Sequence, residues 1–277
     1  MTQTTNTQTA SPVAPSTNEP ISFLGIRVHR KNLSELNALV GSVIASGEQQ
    51  VIANHNLHSL HLYHRDARMR DFYAGAEWTH VDGMALVALA RLCGHKINRE
   101  HRITYVDWVH PLVAEAARNH WRIFYLGGAP GVAERGAAIL HEQHLGLQIK
   151  TVHGYFDTDP AGPENRAMLA AIAAYRPHIL MVGMGMPRQE NWIHDNRNAL
   201  AANVILPCGA VMDYVAGAIA TPPRWAGRTG LEWAFRLANE PRRLWQRYLV
   251  EPWSLSGLVV QEILRNRTPF GKASAKQ

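Results

Sequence analysis

The stretch "WRIFYLGGAPGVAERGAAILHEQH", residues 121–144, contains one complete strand, turn and helix. A short apolar run ends at Gly127 and Gly128, and apolar residues recur at helical spacing after Gly131. Short apolar strands followed by helices of about ten to fifteen residues are typical of βαβ units, which form a parallel sheet covered by helices. The stretch therefore predicts an α/β fold if the same unit recurs along the chain.

The unit does recur on both sides of this stretch. "NLSELNALVGSVIASG" begins with a capping-box pattern, Asn32 followed by Glu35, and is predicted to be a helix that precedes the strand "QQVIAN". Further strand and helix pairs are "EWTHVDG" with "MALVALARLCG", "QIKTVHG" with "PENRAMLAAIAAYR", and "HILMVGMG" with "RQENWIHDNRNALA", before a last strand in "NVILPCGA". We predict a Rossmann-like, mostly parallel sheet with helices on both faces over residues 21–221.

Composition excludes several classes of protein. The 277 residues are 46% hydrophobic and 18% charged, which is ordinary for a globular chain and excludes wholesale disorder. Residues 1–20, rich in Thr, Ser, Pro and Asn, are predicted to be a disordered leader, and they lack the features of a secretory signal. No apolar run approaches the roughly 18 to 20 residues that span a bilayer. Cys93 and Cys208 lie far apart in apolar stretches, as expected of buried thiols in a reducing cytoplasm.

The basic excess of the chain lies entirely in its tail. Residues 221–277 contain ten Lys and Arg against four Asp and Glu, whereas the rest of the chain is balanced. Three helices are predicted after the double proline at 222–223, in "GLEWAFRLANE", "PRRLWQRYLV" and "PWSLSGLVVQEILRN". Residues 222–277 are therefore predicted to be a basic amphipathic appendage that lies on an anionic membrane surface. The alternative is a helical subdomain packed on the core with solvated arginines.

Polar residues and glycines follow the predicted strands, at the edge where ligands bind in parallel sheets. Gly127, Gly128 and Gly131 would let the backbone approach a diphosphate, although an ordinary tight turn gives the same pattern. In "VGMGMPRQENW", Gln189 could bind a sugar or base while Arg188 neutralises charge. The edge is thus predicted to bind a phosphorylated ligand.

Six motifs occur together in a fixed order: "VDGMALV", "YLGGAPGVAE", "HGYF", "VGMGMPRQENWI", "GAVMDYVAGAIATPPRW" and "GLEWAFRLANEPRRLWQRYL". In these motifs the chain resembles the bacterial WecB/TagA/CpsF family, glycosyltransferase family 26, over roughly residues 25 to 250. The resemblance implies an inverting, metal-independent hexosyltransferase without a cofactor. Such an enzyme transfers a sugar from a UDP-sugar to a polyprenyl-diphosphate-linked saccharide, at the inner face of the cytoplasmic membrane.

Other stretches, such as "NHNLHSLHLYHRD" and "HRITYVDWVHP", are similar to the xanthan- and acetan-type branch of the family. That branch adds a β-1,4-linked glucose to glucosyl-diphospho-polyprenol during exopolysaccharide assembly, which makes UDP-glucose the expected donor. The alternative is transfer of N-acetylmannosamine to lipid-linked N-acetylglucosamine. The sequence does not fix the oligomeric state, and a homo-oligomer stays open.

The resemblance also implies roles for single residues. Asp82 matches the family's general base, although an Asp before a helix is equally often a cap. Asn56 matches a family asparagine with a catalytic role, whereas Asn54 replaces a threonine, which weakens any transfer of N-acetylmannosamine specificity. Thr104 and Asp107 are candidate pocket residues, and Asp107 could instead cap a helix.

The tail and the strand ends supply the remaining candidates. In the family the appendage closes over the active site and contributes arginines that stabilise the departing diphosphate. The candidates for this role are Arg236, Arg243 and Arg247. The further substrate-binding candidates are Gly127, Gly128, Tyr155, Gly185, Arg188, Gln189 and Asp213.

Several competing interpretations are less well supported. His55, His58, His61 and His64 recur every third residue, but this spacing drifts around a helix and the H-E-x-x-H pattern is absent, so no metal site is predicted. The acidic "DTD" at 157–159 is predicted to be a solvated turn. A nicotinamide-dependent dehydrogenase would need a strict glycine fingerprint, and a nucleic-acid-binding protein would need a recognition motif. Neither pattern is present, so no nucleic-acid partner is predicted.

Overall fold

The computed structural model of the chain describes residues 19–222, 226 and 232–267. Of the leader predicted for residues 1–20, only the last two positions lie among the described residues. The side chain of Arg243 also lies outside the described part, although its backbone is helical.

A six-stranded parallel sheet forms the centre of the molecule. A short antiparallel hairpin of β1 (Ile21–Phe23) and β2 (Ile26–Val28) precedes it. The strands of the main sheet are β3 (Gln50–His55), β4 (Trp78–Val81), β5 (Arg122–Gly127), β6 (Gln148–Val152), β7 (Ile179–Gly183) and β8 (Val204–Pro207). Their spatial order is β4-β3-β8-β7-β5-β6, and every neighbouring pair is parallel. The predicted parallel α/β sheet is therefore confirmed.

Helices cover both faces of this sheet. They are α1 (Leu33–Ser46), α2 (Leu57–Arg65), α3 (Ala67–Ala74), α4 (Met84–Leu92), α5 (Tyr105–Arg118), α6 (Val132–Gln143), α7 (Pro163–Tyr175), α8 (Arg188–Asn196) and α9 (Val211–Val215). Successive residues of a strand face opposite sides of its sheet. Accordingly, Ile123 and Tyr125 pack with α1, α5, α6 and α9, whereas Phe124 and Leu126 pack with α3, α7 and α8. Burial on both faces explains why the strands are continuously apolar in sequence.

Several of these helices begin directly after an Asn or Thr residue whose side chain caps the first turn. The predicted capping box of α1 is present: Asn32 Oδ1 accepts from the Glu35 backbone N–H at 3.0 Å, and Glu35 Oε2 accepts from the Asn32 N–H at 2.8 Å. Asn56 caps α2 and Thr104 caps α5 in a similar way. The sequence analysis did not assign the β1–β2 hairpin, α2, α3 or α5.

The C-terminal appendage, residues 232–267 of the described chain, is helical throughout. It consists of α10 (Glu232–Asn239), α11 (Pro241–Trp245), a π-helical turn (Gln246–Val250), α12 (Glu251–Ser254) and α13 (Ser256–Arg267). Leu255 is buried with the β1–β2 hairpin and α4, which attaches the appendage to the body. Among the described residues, none of the helices combines the length and the apolar character needed to cross a bilayer.

Glycines let the strands approach each other closely at the carboxyl edge of the sheet. A Cβ atom on Gly127 would lie 2.2 Å from the carbonyl oxygen of Gly183. One on Gly183 would lie 2.2 Å from Tyr125 Oη and 2.5 Å from the carbonyl oxygen of Gly209. No side chain fits at either position. The backbone is therefore closely packed where β5 and β7 end and the turn after β8 begins.

Candidate active site

Asp82 lies directly after β4, where two strand ends bring polar side chains together. Its backbone N–H donates to the carbonyl oxygen of His55 at 2.8 Å, which continues the pairing of β4 with β3. Its Oδ2 accepts from Asn54 Nδ2 at 3.3 Å and from Asn56 Nδ2 at 3.5 Å. The two asparagines predicted from the end of β3 therefore hold the carboxyl group predicted from the end of β4.

The side chain of Asp82 does not cap the helix that follows. The N-cap of α4 is Gly83, in a backbone conformation with φ of 102°, and no side chain bonds to the first turn of this helix. The capping alternative is thus not what the structure shows. The carboxyl group is free to face the adjoining cavities.

The surroundings of Asp82 act on its pKa in opposite directions. Burial raises the pKa of the Asp82 carboxyl above its usual value, while the guanidinium groups of Arg236 and Arg102 and the amide of Asn56 oppose that rise. The net direction is upward. A carboxylate with a raised pKa is a stronger base, as removal of a proton from a hydroxyl group requires.

Asp82 lies in the wall between two cavities. The strand-end cavity, about 500 Å³, lies over the ends of the sheet and is lined by residues that include Asn54, Thr104, Tyr105, Gly185, Gln189 and Tyr214. The α4 cavity, about 480 Å³, lies between α4 and α10 and has a mainly apolar lining that includes Leu57, Met84, Ala88 and Trp233. Both volumes are in the range of small-molecule sites. The two cavities share Asn56, His58, Asp82, Arg236, Arg247 and Tyr248.

The appendage places two of the predicted arginines at the junction of these cavities. The guanidinium carbon of Arg236 lies 5.2 Å from the ring centroid of Tyr214, and that of Arg247 lies 5.9 Å from the ring centroid of Tyr248. Burial lowers the pKa of Arg247, but a guanidinium stays charged in proteins. Both guanidinium groups line the junction with Asp82, and both act to lower the pKa of its carboxyl group.

Arg102 is a functional candidate that the sequence analysis missed. Its Nη1 lies 2.9 Å from Asp107 Oδ2, and its Nη2 pairs with Glu232 of α10, so it joins the body to the appendage. Asp107 is exposed, and its Oδ2 accepts from Thr104 Oγ1 at 2.9 Å. Thr104 is the N-cap of α5 and lines the strand-end cavity, whereas Asp107 lies in the first turn of this helix and is not itself the cap that was considered from the sequence. The position of Arg102, directly after a short 3-10 turn, carries no motif that would have identified it.

Six of the predicted substrate-binding residues do not line either cavity: Asp107, Gly127, Gly128, Tyr155, Arg188 and Asp213. Gly127 packs the end of β5 against β7, and the backbone N–H of Gly128 donates to the carbonyl oxygen of Gly183 at 3.2 Å. Tyr155 is 67% exposed, and Arg188 Nη2 donates to the carbonyl oxygen of Phe156 at 2.6 Å. The glycine turn after β5 therefore serves strand packing in this structure.

The four spaced histidines hold separate parts of the fold. His55 stacks on Tyr73 with ring centroids 3.8 Å apart. His58 Nδ1 lies 2.7 Å from Glu251 Oε2, and His61 Nδ1 lies 2.7 Å from Ser254 Oγ, both across the interface with the appendage. His64 Nε2 lies 2.8 Å from the Leu24 carbonyl oxygen in the hairpin turn. Within the described residues, no group of three or more His, Cys, Asp or Glu could hold a metal ion.

The acidic "DTD" segment forms a turn through its own side chains. Asp157 Oδ1 accepts from the Asp159 N–H at 3.0 Å, and Asp159 Oδ1 accepts from the Ala161 N–H at 3.1 Å. Asp157 and Asp159 are exposed, and the segment lies outside both cavities. The predicted turn is confirmed.

Known proteins are similar to this chain in sequence. Residues 21–269 match the family described as glycosyl transferase WecG/TagA/CpsF. Similar proteins include the N-acetylglucosaminyldiphosphoundecaprenol N-acetyl-beta-D-mannosaminyltransferases of Staphylococcus aureus strains MW2, NCTC 8325 and COL. Each is 26% identical over 171 residues, which is 61% of this chain and 64% of the relative. The matched segment thus spans less than two thirds of these relatives. Because the family match covers most of the chain and both cavities, the chain belongs to the WecG/TagA/CpsF family of glycosyl transferases.

Proposed function

We propose that this glycosyl transferase moves a hexose from a UDP-sugar to a saccharide carried on polyprenyl diphosphate, with inversion at the anomeric carbon and with Asp82 as general base. The observation that supports this most directly is the position of Asp82, in the shared wall of two cavities and opposite two arginines. A transferase that joins two substrates needs two adjoining sites with the base between them.

The strand-end cavity suits the nucleotide donor. It lies at the carboxyl ends of parallel strands, where nucleotides bind in doubly wound folds. Arg236 and Arg247 line it and can bind phosphate oxygens through paired N–H groups. As the bond from the anomeric carbon to the diphosphate breaks, negative charge grows on UDP, and these guanidinium groups would stabilise it.

The α4 cavity suits the lipid-linked acceptor. Leu57, Met84 and Trp233 give it apolar surface, while Asn56 and Asp82 stand at its polar end. An acceptor hydroxyl held there would attack the anomeric carbon from the side opposite UDP. Asp82 takes the hydroxyl proton, the new glycosidic bond forms, and UDP departs with the electron pair of the old bond. One displacement of this kind inverts the anomeric centre.

The relatives favour N-acetylmannosamine over glucose as the transferred sugar. The Staphylococcus aureus proteins are named for transfer of N-acetylmannosamine to N-acetylglucosaminyldiphosphoundecaprenol. This agrees with the alternative drawn from the sequence rather than with its glucose prediction. Asn54 is the observation that keeps glucose as a second candidate, because it bonds directly to Asp82 at a position where the family resemblance implies a threonine. A change of side chain beside the base alters the groups available to the sugar hydroxyls.

The appendage would hold the enzyme at the inner face of the cytoplasmic membrane, where its acceptor is anchored. It carries exposed apolar side chains, among them Trp253 at 77% and Leu264 at 58% exposure, beside basic residues. Such surfaces bind the headgroup layer peripherally.

A panel of donors tests the reaction. UDP-glucose, UDP-N-acetylmannosamine and UDP-N-acetylglucosamine are offered with short-chain lipid diphosphates that carry either glucose or N-acetylglucosamine, and the product linkage is read by NMR. We expect one donor to be used, with a β-linked product and N-acetylmannosamine preferred. An α-linked product would contradict the inverting mechanism.

Replacement of Asp82 by Asn tests the base. Turnover should fall by about 10² to 10⁴ while the affinity for UDP, measured by calorimetry, stays nearly unchanged. Asp71→Asn, on the exposed surface of α3 and outside both cavities, is the matched control. Near-normal turnover of the Asp82 variant would remove this residue from the base role.

A further inference from the structure

Glu190 is a completely buried carboxylic acid that the mechanism above does not use. It lies in the first turn of α8, with 0% of its surface exposed. Its Oε2 is buried and has no hydrogen-bond partner among the described residues. Burial raises the pKa of this carboxyl to about 7. Burying a polar group without a full set of hydrogen bonds costs free energy of folding. The contacts of the neighbouring Gln189 indicate what Glu190 contributes in return.

Gln189, the preceding residue, joins two turns of the strand-end cavity. Its Oε1 accepts from the backbone N–H of Gly185 at 3.2 Å and from that of Gly209 at 3.1 Å. Gly185 follows β7 and Gly209 follows β8, and both have left-handed backbone conformations with φ of 79° and 58°. All three residues line the strand-end cavity. One amide oxygen thus ties together the two turns that form the cavity floor.

This arrangement requires one orientation of the Gln189 amide. If the amide were flipped, its NH₂ group would face two N–H donors and neither bond could form. In the observed orientation Nε2 donates to Glu190 Oε1 at 2.8 Å. The carboxyl oxygen is therefore the acceptor that makes the productive orientation favourable.

We propose that Glu190 is a positioning residue for the nucleotide cavity: by accepting from Gln189 Nε2, it holds the Gln189 amide oxygen against the turns after β7 and β8. We call this set of bonds the Gln189 staple, made of Gly185, Gln189, Glu190 and Gly209. The staple stands on the hydrogen bonds alone, whereas its effect on UDP affinity rests on the proposed function.

Two variants of the full chain distinguish the role of Glu190 as a hydrogen-bond acceptor from any role of its negative charge. Glu190→Gln keeps a carbonyl oxygen that can accept the same bond, and Glu190→Met removes it. The measurements are amide hydrogen exchange at Gly185 and Gly209 by NMR and UDP affinity by calorimetry. We expect Glu190→Met to speed exchange at both glycines and to raise the Kd for UDP about tenfold, and Glu190→Gln to stay within about twofold of wild type. Glu134→Met, exposed on α6, is the matched control and should change neither quantity.

The outcomes distinguish the two proposals. If exchange is faster in Glu190→Met but the wild-type chain binds no UDP, the staple is supported, and the proposal that the strand-end cavity binds the nucleotide is contradicted. Unchanged exchange at both glycines in Glu190→Met overturns the staple, whatever the UDP affinity. Weakened UDP binding in Glu190→Gln equal to that in Glu190→Met also overturns it, because the acceptor is then not what matters.

A second comparison covers the case in which Glu190→Met does not fold. Gln189→Met removes the staple directly, and the double variant Gln189→Met/Glu190→Met also removes the buried carboxyl group that the single variant leaves without its Gln189 partner. If Glu190 acts through Gln189, exchange at Gly185 and Gly209 is equally fast in the single Gln189 variant and the double variant. Faster exchange in the double variant would assign Glu190 a separate effect and contradict the proposal.

Discussion

Asp82 and Glu190 are both carboxylic acids withdrawn from water, yet their neighbours differ. Guanidinium groups of Arg236 and Arg102 oppose the effect of burial at Asp82, whereas an uncharged amide is the main polar contact of Glu190. Positive neighbours favour the ionised form, and burial favours the protonated form. At Glu190 burial is the largest influence on the pKa, and Arg247 opposes it only in part. Asp82 is thereby suited to accept a proton, and Glu190 to hold a side chain in place.

The raised pKa of Glu190 predicts how stability depends on pH. Its folded pKa is about 7 against an ordinary value of 4.5, so the folded chain holds a proton that the unfolded chain releases. The corresponding stability, at most about 3 kcal/mol, is fully present below pH 4.5 and is lost as the pH rises through 7. Glu190→Gln should therefore remove a downward slope in the free energy of unfolding between these pH values, measured by urea titration.

Buried histidines make the comparison with wild type necessary. Burial lowers the pKa of His55 to about 3 and that of His80 to about 4, so both are uncharged in the folded chain. Their contribution has the opposite sign: it is present above pH 6.5 and is lost as the pH falls. The difference between the variant and wild type cancels this effect. A difference that does not change between pH 4.5 and 7 would contradict the assignment to Glu190.

Close strand contacts predict a strong effect at one glycine. Gly183→Ala would place a methyl group 2.2 Å from Tyr125 Oη, and rigid backbone at Gly209 leaves little room for adjustment. We expect a loss of about 3 kcal/mol or more in the free energy of unfolding. Gly257→Ala is the matched control, because no atom lies within 4 Å of the new methyl group in α13, and it should be neutral or stabilising. Equal stability of the two variants would be the contrary result.

At the scale of elements, the spaced histidines show what a sequence pattern can and cannot identify. The spacing of the histidines argues against a metal site, and the structure places His58, His61 and His64 on α2. Their partners are Glu251, Ser254 and the Leu24 carbonyl, which lie 193, 193 and 40 positions away in the chain. Contacts at such separations depend on how elements pack, so local spacing could not reveal them.

The hydrogen bond between His58 of α2 and Glu251 of α12 should hold the appendage against the body. Glu251→Ala leaves His58 Nδ1 without its partner at the interface, which should weaken docking by about 1 to 3 kcal/mol. Faster amide exchange is expected over residues 251–267, measured by mass spectrometry. Gln261→Ala, exposed on α13, is the control and should leave exchange unchanged. Wild-type exchange in the Glu251 variant would show that this bond does not secure the appendage.

At the scale of the whole molecule, the sequence predicted the order of elements better than their arrangement. Apolar strands and capped helices follow from local chemistry, so the α/β alternation and the helical tail were predicted correctly. The strand order β4-β3-β8-β7-β5-β6 requires crossovers that no local pattern encodes. The candidate site shows the same limit. Asp82, Asn56 and the arginines lie in sequence motifs that identified them, whereas Arg102 contacts Glu232 only because α10 folds back over the body.

The appendage also presents an apolar surface that argues for membrane binding as a property of the whole enzyme. Trp245, Leu249 and Trp253 are 46%, 50% and 77% exposed on consecutive turns, although aromatic and aliphatic side chains of this size normally lose water on folding. The adjoining Arg242 is exposed and adds attraction to anionic lipid. The surface is thus suited to the lipid that would carry the proposed acceptor.

Trp253→Glu tests this surface directly. The change removes an apolar anchor and adds repulsion from anionic headgroups, so binding to vesicles with about a third anionic lipid should weaken at least about tenfold in a sedimentation assay. UDP affinity should stay at the wild-type value, since Trp253 lines neither cavity. Leu145→Glu is the matched control: Leu145 is 92% exposed in the loop between α6 and β6, outside the appendage. If both variants lost vesicle binding equally, net charge alone would explain the attraction, and if neither did, the appendage would not be the membrane-binding element.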